Sequence, residues 1–529
     1  MKSSLGYLRS VTLNPVKNPS HISHDKVYCN LFLGLLCILL VPSCLALHTL
    51  EPPPPVPRTR NTIPLEGWVD IRLNHFDASD TTTFPMRYYY NNEFSGENIV
   101  IFVGGEWSIS PGWVQAGLAY ELAERVGAAL FYTEHRYYGQ TRPTQDTSTS
   151  GLRYLTVDQA LGDLAQFIEY VKSDSFENGK YRNAKVGLVG CSYAGSMATW
   201  MKLGYPHVVD AAFSDSGPLH AQEDFPEYLE VITEALRSQG SEECVTSIEN
   251  AMERLKQLFD VGASTTISSL FNTCTEIETR SLLDEATLNW FGITETFAGL
   301  VQYAVPGDIP LACGYLTNAN ISSDPLTRLA GWVTAQSWTQ PCIETRYTQI
   351  VARHTNTSYD AYDSVMRLWT YQTCVEYGWY QTTNSSQQPF LNAVPLEYFH
   401  QMCKDFFGDN FDEARLRAGI ARTNTLFAGL TYLPDHVVSV AGGHDPWSPM
   451  GADETHATPL APVYVVPTVS HCRAVGSSGN SETQALENTK RAVLDHMYFW
   501  MTNEVWQRDG AASMAASLVL VFAALVIIL

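Results

Sequence analysis

The sequence predicts an α/β protein, built on a mainly parallel sheet and split by a long helical insertion. Three observations predict it. From about residue 65, short apolar runs alternate with helical stretches, the pattern of strand, helix, strand. Between about Ala221 and Arg422 that alternation stops, and helical periods, tryptophans and cysteines take over. The strand pattern then resumes at Val437 and closes with one more helix.

Taken in order, residues 1–47 form a leader. Leu31–Val41 (LFLGLLCILLV) is apolar, follows Lys2, Arg9, Lys17 and Lys26, and precedes the small-residue stretch Ser43–Ala46. It is short for a membrane span, so a signal peptide with a long n-region is expected. Residues 48–64 contain EPPPPVP and read as a stiff, extended linker. In the first core segment, 65–220, Ile99–Val103, Ala129–Thr133 and Lys185–Val189 are buried strands by their unbroken apolar runs. Trp113–Arg125, Thr156–Lys172 (with Thr156 as N-cap) and a stretch from about Gly195 to Lys202 are the helices between and after them. Residues 221–425 are the helical insertion, and 426–506 complete the core with strands Val437–Val440 and Val463–Val466 and a helix from Thr483 to about Met501. The uncharged tail 510–529 fits a glycolipid-anchor signal or a terminal transmembrane helix, and either would attach the chain to a membrane.

Composition excludes several function classes. Of 529 residues 45% are hydrophobic, ample for a core, and the formal net charge is −22. Removing the leader, with four positive residues and one negative, takes this to about −25. Such a balance lacks the basic surface that nucleic acid demands. No phosphate-binding glycine loop, CxxC pair or HExxH helix occurs, so no metal or cofactor is expected. Eight cysteines lie beyond the leader, and six of them (Cys244, Cys274, Cys313, Cys342, Cys374 and Cys403) fall in the insertion. With the sequons at Asn320, Asn356 and Asn384, they predict a local disulfide set in a glycosylated chain of the secretory pathway.

The chemistry centres on Gly190-Cys191-Ser192-Tyr193-Ala194-Gly195, between a predicted strand and a predicted helix. A serine on so sharp a turn is presented above the sheet edge, where the helix N-terminus favours developing negative charge. A serine nucleophile needs a base, and the base needs an orienting acid. Asp445 follows the strand Val437–Val440 and His471 follows Val463–Val466, each on a loop after a late strand. His444 and His456 compete for the role of base. An oxyanion hole would draw on the backbone N–H of Tyr193 and on Gly105 and Glu106, in the glycine-rich loop directly after Ile99–Val103.

These stretches resemble the prolyl-type serine carboxypeptidases, peptidase family S28. The resemblance is carried by Gly104–Trp107, Glu134–Gly139, Tyr154–Thr156 with Gln159–Leu161, Ser192-Tyr193 with Gly195, Tyr205–His207 and Asp445–Trp447. Within the family, Trp369–Thr382 and Ser470-His471-Cys472 are most similar to the thymus-specific branch. The resemblance implies an α/β-hydrolase with a disulfide-linked helical cap inserted between the nucleophile and the other two triad residues. It implies Ser192, Asp445 and His471 as the triad, peptide substrates cut near a terminus and often beside proline, an acidic working compartment and a homodimer. Two departures stand out: Cys191 replaces a usual Gly, and Gly442-Gly443-His444 replaces a usual Asn-Gly before Asp445. Cys191 is expected to pack rather than react. Trp107 and Trp447 are expected substrate contacts, and Gln372 and Glu376 either face the substrate from the cap or are structural polar residues flanking a disulfide. The competing readings are a catalytically silent hydrolase-fold protein in adhesion or binding, and an esterase.

Overall fold

In the computed structural model the described residues are 51–56, 63–336, 341–479 and 481–507. The leader and the hydrophobic tail lie outside them. Ten strands occur among the described residues: β1 (Leu65–Arg72), β2 (Thr83–Asn91), β3 (Asn98–Val103), β4 (Ala128–Thr133), β5 (Val186–Cys191), β6 (Ala211–Asp215), β7 (Gln222–Asp224), β8 (Gly378–Tyr380), β9 (Val437–Gly442) and β10 (Val463–Val466). Eight form one sheet in the order β1-β2-β4-β3-β5-β6-β9-β10, while β7 and β8 pair separately. β2 runs antiparallel to both β1 and β4, and every later pairing in the sheet is parallel. This is the α/β-hydrolase arrangement.

The parallel strands β3, β4 and β5 are buried along nearly their whole length, as a sheet covered on both faces requires. Registers such as Ile101 opposite Leu188, and Leu188 opposite Ala212, stack these apolar runs into one core. Three helices follow early strands: α1 (Leu118–Val126), α2 (Val157–Lys172) and α3 (Tyr193–Gly204). α1 is shorter than the expected Trp113–Arg125, because a separate turn at Pro111–Val114 precedes it and Gly117 breaks the path. Thr156 stands at the N-cap of α2 without a side-chain capping bond. The closing helix, Gln484–Thr502, is capped by Thr483, whose hydroxyl accepts from the Leu486 N–H.

β1, β2 and β6 join the strands expected from the sequence. β6 (AAFSD) is short and carries Ser214 and Asp215, which mask its apolar signal, yet both are buried. Residues 51–56 also differ from a free linker, since they lie against the core. The Glu51 carboxylate accepts from the Ser110 N–H at 2.9 Å, and the Pro52 carbonyl accepts from Trp113 Nε1 at 2.9 Å.

Between β6 and β9 the chain builds a helical cap, with helices from Glu227–Ala235 through Glu413–Phe427 and the short β7–β8 pair. Disulfides Cys244–Cys313, Cys274–Cys342 and Cys374–Cys403 tie it internally. All six insertion cysteines are therefore paired among themselves. A fourth bridge, Cys191–Cys472, lies in the core. Cys191 is buried as expected, but it is covalently bonded, which corrects the reading of a residue that merely packs.

Candidate active site

Ser192 occupies the turn from β5 into α3 with φ 58° and ψ −135°, a conformation that costs a non-glycine residue about 1–3 kcal/mol. Surrounding bonds hold it there. Its N–H donates to the Asp215 carbonyl at 2.9 Å, and its own carbonyl accepts from Gly195 at 2.8 Å and Ser196 at 3.1 Å. Gly190 is required by the same turn, because a Cβ there would sit 2.1 Å from the Ala194 carbonyl oxygen. The Tyr193 N–H is the first of α3 and so has no partner within the helix.

Asp445 and His471 meet beside this turn. The His471 Nδ1–Asp445 Oδ1 distance is 2.8 Å, and both side chains are almost wholly buried. Asp445 Oδ1 also accepts from the Trp447 N–H at 3.0 Å, which fixes the carboxylate. His471 Nε2 is buried and has no hydrogen-bond partner among the described residues. Burial opposes charging of this imidazole, but Asp445, with Asp215 and Glu106 behind it, outweighs burial and raises its pKa above the ordinary value. Cys191 precedes the serine and Cys472 follows the histidine, and their bond brings the two Cα atoms within 5.6 Å. The competing histidines are engaged elsewhere. His444 contacts Gln239 and Ser238 of the cap, and His456 pairs with Asp453 at 2.7 Å on an exposed turn.

A cleft opens at Ser192, lined by Glu106, Tyr193, Pro218, Gln302, Trp369 and Trp447. Glu106 carries an unsatisfied buried Oε2, and burial raises its carboxyl to a pKa of about 8. Gln302 is braced, its Oε1 accepting from Tyr228 and from Trp447 Nε1. The sequence by itself does not single out Pro218, Gln302 or Trp369 as cleft residues. Trp369 begins the cap motif Trp369–Thr382, which was a usable signal, whereas nothing local marks Pro218 or Gln302.

Of the four candidate substrate contacts, Trp447 lines the cleft, while Trp107, Gln372 and Glu376 do not. Trp107 folds back over Gly105, is 3% exposed, and donates from Nε1 to the Tyr132 hydroxyl at 2.7 Å. Gln372 is fully buried between core and cap, donating to the Tyr193 hydroxyl at 3.0 Å and accepting from Tyr138 at 2.6 Å. Both Glu376 carboxylate oxygens lie 3.1 Å from the Val157 N–H, so this cap residue satisfies the N-terminus of α2 in place of Thr156. Polar side chains at a buried joint must be paired, and these are spent on that joint.

A family model described as Serine carboxypeptidase S28 matches residues 71–493. The chain belongs to that family. It is accordingly a serine peptidase. The thymus-specific serine protease of Mus musculus is 30% identical over 468 residues, covering 83% of this chain and 88% of that protein. The lysosomal Pro-X carboxypeptidase of Bos taurus is 25% identical over 470 residues, covering 84% and 90%. Among solved structures, a proline iminopeptidase-related protein from Thermus thermophilus aligns with a TM-score of 0.35 and 11% identity, over 82% of this chain and 99% of that one. The disulfides and the lysosomal relatives of this S28 member fit a secretory-pathway or lysosomal protein. Among the described residues no helix is long and apolar enough to cross a membrane, and the tail expected to attach the chain lies outside them. Asn320, Asn356 and Asn384 are all exposed.

Proposed function

We propose that this protein is a serine exopeptidase that hydrolyses peptide bonds near a chain terminus, with a preference for sites beside proline. Ser192 Oγ attacks the scissile carbonyl, and His471 Nε2 takes its proton and returns it to the leaving amine. Asp445 holds the imidazole in the tautomer that leaves Nε2 free, and stabilises the cation that forms. The developing oxyanion is received by the N–H of Tyr193 and by the backbone of the Gly105-Glu106 loop. Water then releases the acyl group by the same proton relay in reverse.

The observation that carries this reading is the buried 2.8 Å His471–Asp445 bond, on a loop bridged covalently to the serine turn. The terminal mode is supported by the Pro-X carboxypeptidase relatives and by the cap residue Trp369 in the wall of the cleft at Ser192. The proline preference is supported by the Pro-X carboxypeptidase relatives and by the aromatic faces of Trp369 and Trp447. N-glycans on the three exposed sequons and attachment through the hydrophobic tail complete the proposal.

Incubation with a peptide library carrying proline at each position, read by mass spectrometry, tests the cleavage mode. Release of terminal residues or dipeptides beside proline is expected, and cuts in the middle of long peptides would refute the exopeptidase assignment. Labelling by a fluorophosphonate probe, lost in Ser192→Ala, tests the nucleophile. Retained labelling would reject it.

A further inference from the structure

The fourth disulfide stands apart from the other three. Those lie within the cap, whereas Cys191–Cys472 joins the last residue of β5 to the loop after β10, across a sequence separation of 281. Its two ends are the immediate neighbours of Ser192 and His471.

Besides the disulfide, the histidine loop is held by hydrogen bonds, the 2.8 Å pairing of His471 with Asp445 among them. β10 ends at Val466, five positions before the histidine by numbering, and β10 is an edge strand paired only with β9. Two of the loop's residues, Thr468 and Cys472, hold positive φ of 61° and 57°, which a relaxed chain avoids. From the cap, the Val301 carbonyl accepts from Ser470 Oγ at 2.7 Å and the Gln302 carbonyl accepts from the His471 N–H at 3.1 Å. From the end of β6, Ser216 Oγ accepts from the Cys472 N–H at 2.9 Å, and Asp215 accepts from Val475 at 2.8 Å. None of these bonds reaches the serine turn itself. The disulfide alone does so covalently.

We infer that Cys191–Cys472 is a positioning element, which holds the His471 imidazole in register with Ser192, so that turnover depends on its remaining oxidised. This rests on the triad reading given above. The β5–β6–β9–β10 pairings do not involve the sulfurs, so opening the bridge leaves the sheet and the cleft walls in place. What is lost is the fixed separation of nucleophile and base. A displacement of about 1 Å there lowers turnover by about 10²-fold.

The bridge is also reachable. Cys191 is fully buried, but Cys472 is partly exposed. A dithiol reductant opens it in two steps. One thiolate attacks Cys472 Sγ, the S–S bond breaks, and Cys191 leaves as a thiolate that takes a proton. The reagent's second thiolate then attacks the mixed disulfide and departs as a cyclic disulfide, leaving Cys472 as a thiol. Two electrons and two protons pass from the dithiol to the protein.

The test compares steady-state kinetics of the wild type, of Cys191→Ala/Cys472→Ala, and of wild type treated briefly with dithiothreitol under native conditions. Alkylation and peptide mapping show which bridges have opened. Because the Cys274–Cys342 bridge is also partly exposed, the treatment is repeated on Cys274→Ala/Cys342→Ala, whose untreated activity is expected to equal wild type. The expected result is a kcat lowered about 10- to 100-fold with KM changed less than about threefold, both in the double variant and in the reduced enzyme, and recovery on reoxidation. If the double variant does not fold, the reduced native enzyme gives the answer by itself. An enzyme with this bridge open and kcat unchanged overturns the inference. Ser192→Ala separates the two readings: if it is inactive while the bridge-free enzyme turns over normally, only the positioning role fails, and if it remains active the triad itself fails.

Discussion

His471 Nδ1 lies 2.8 Å from Asp445 Oδ1, and neither side chain is more than 2% exposed. In such a dry setting the carboxylate sets both the direction of the ring and its readiness to accept a proton. Asp445→Asn keeps the shape but offers an amide where the imidazole needs an acceptor. A fall in kcat of about 10³- to 10⁴-fold is expected with folding intact, measured by single-turnover kinetics alongside circular dichroism. A loss of less than tenfold would remove Asp445 from its role.

The same pairing sets the pH dependence of the reaction. Burial alone would lower the pKa of His471, but Asp445, Asp215 and Glu106 together raise it. A general base must be neutral to act, so kcat/KM should rise with pH, with its midpoint above the ordinary imidazole value of about 6.5. This runs against the acidic optimum that the family resemblance implies. A profile of kcat/KM already flat at pH 5 would contradict the predicted limb.

Stability should follow the opposite course. Burial raises the carboxyl of Glu376 to a pKa of about 8, and Arg422 and the Val157 N–H only partly oppose this. The folded chain therefore keeps a proton that the unfolded chain has lost above about pH 4.5, and stability declines as pH rises from there towards 8. Glu376→Gln has no proton to lose. Its melting temperature should fall less between pH 5 and pH 8 than that of the wild type, and an identical fall in both would dismiss the argument.

Deeper in the core, Arg136 is fully buried and its guanidinium meets both oxygens of Asp163, at 2.7 and 2.5 Å. His75 reaches the same carboxylate at 2.8 Å. Asp163→Ala strands the buried arginine, and a loss of about 3–5 kcal/mol is expected in urea denaturation. A loss below 1 kcal/mol would mean that Arg136 finds another partner.

The legible parts of the molecule were those where one signal dominates. Mostly apolar runs marked β3, β4, β5, β9 and β10, and all but the edge strand β10 are buried along nearly their whole length. β6 was illegible because it carries two buried polar residues, Ser214 and Asp215, the second of which accepts from the distant Val475 N–H at 2.8 Å. The order of serine, acid and histidine was readable because each follows a strand. The roles of Gln372 and Glu376 were not, since a polar residue facing a substrate and one sealing a joint look alike until the partners, Tyr193 and Val157, are known. Cys191 and Cys472 were the two mature cysteines left over from the cap. Their positions, one beside Ser192 and one beside His471, were the signal that a count by region overlooks.

The placement of the cap between β6 and β9, which are hydrogen-bonded neighbours in the sheet, has a consequence for biosynthesis. A ribosome adding roughly 5–20 residues per second needs on the order of ten to forty seconds to make the roughly 200 residues between them. For that interval Ser192 has already been made, and neither Asp445 nor His471 yet exists. On the proposed triad, the nascent chain is thus a proteolytically mute precursor by order of synthesis alone.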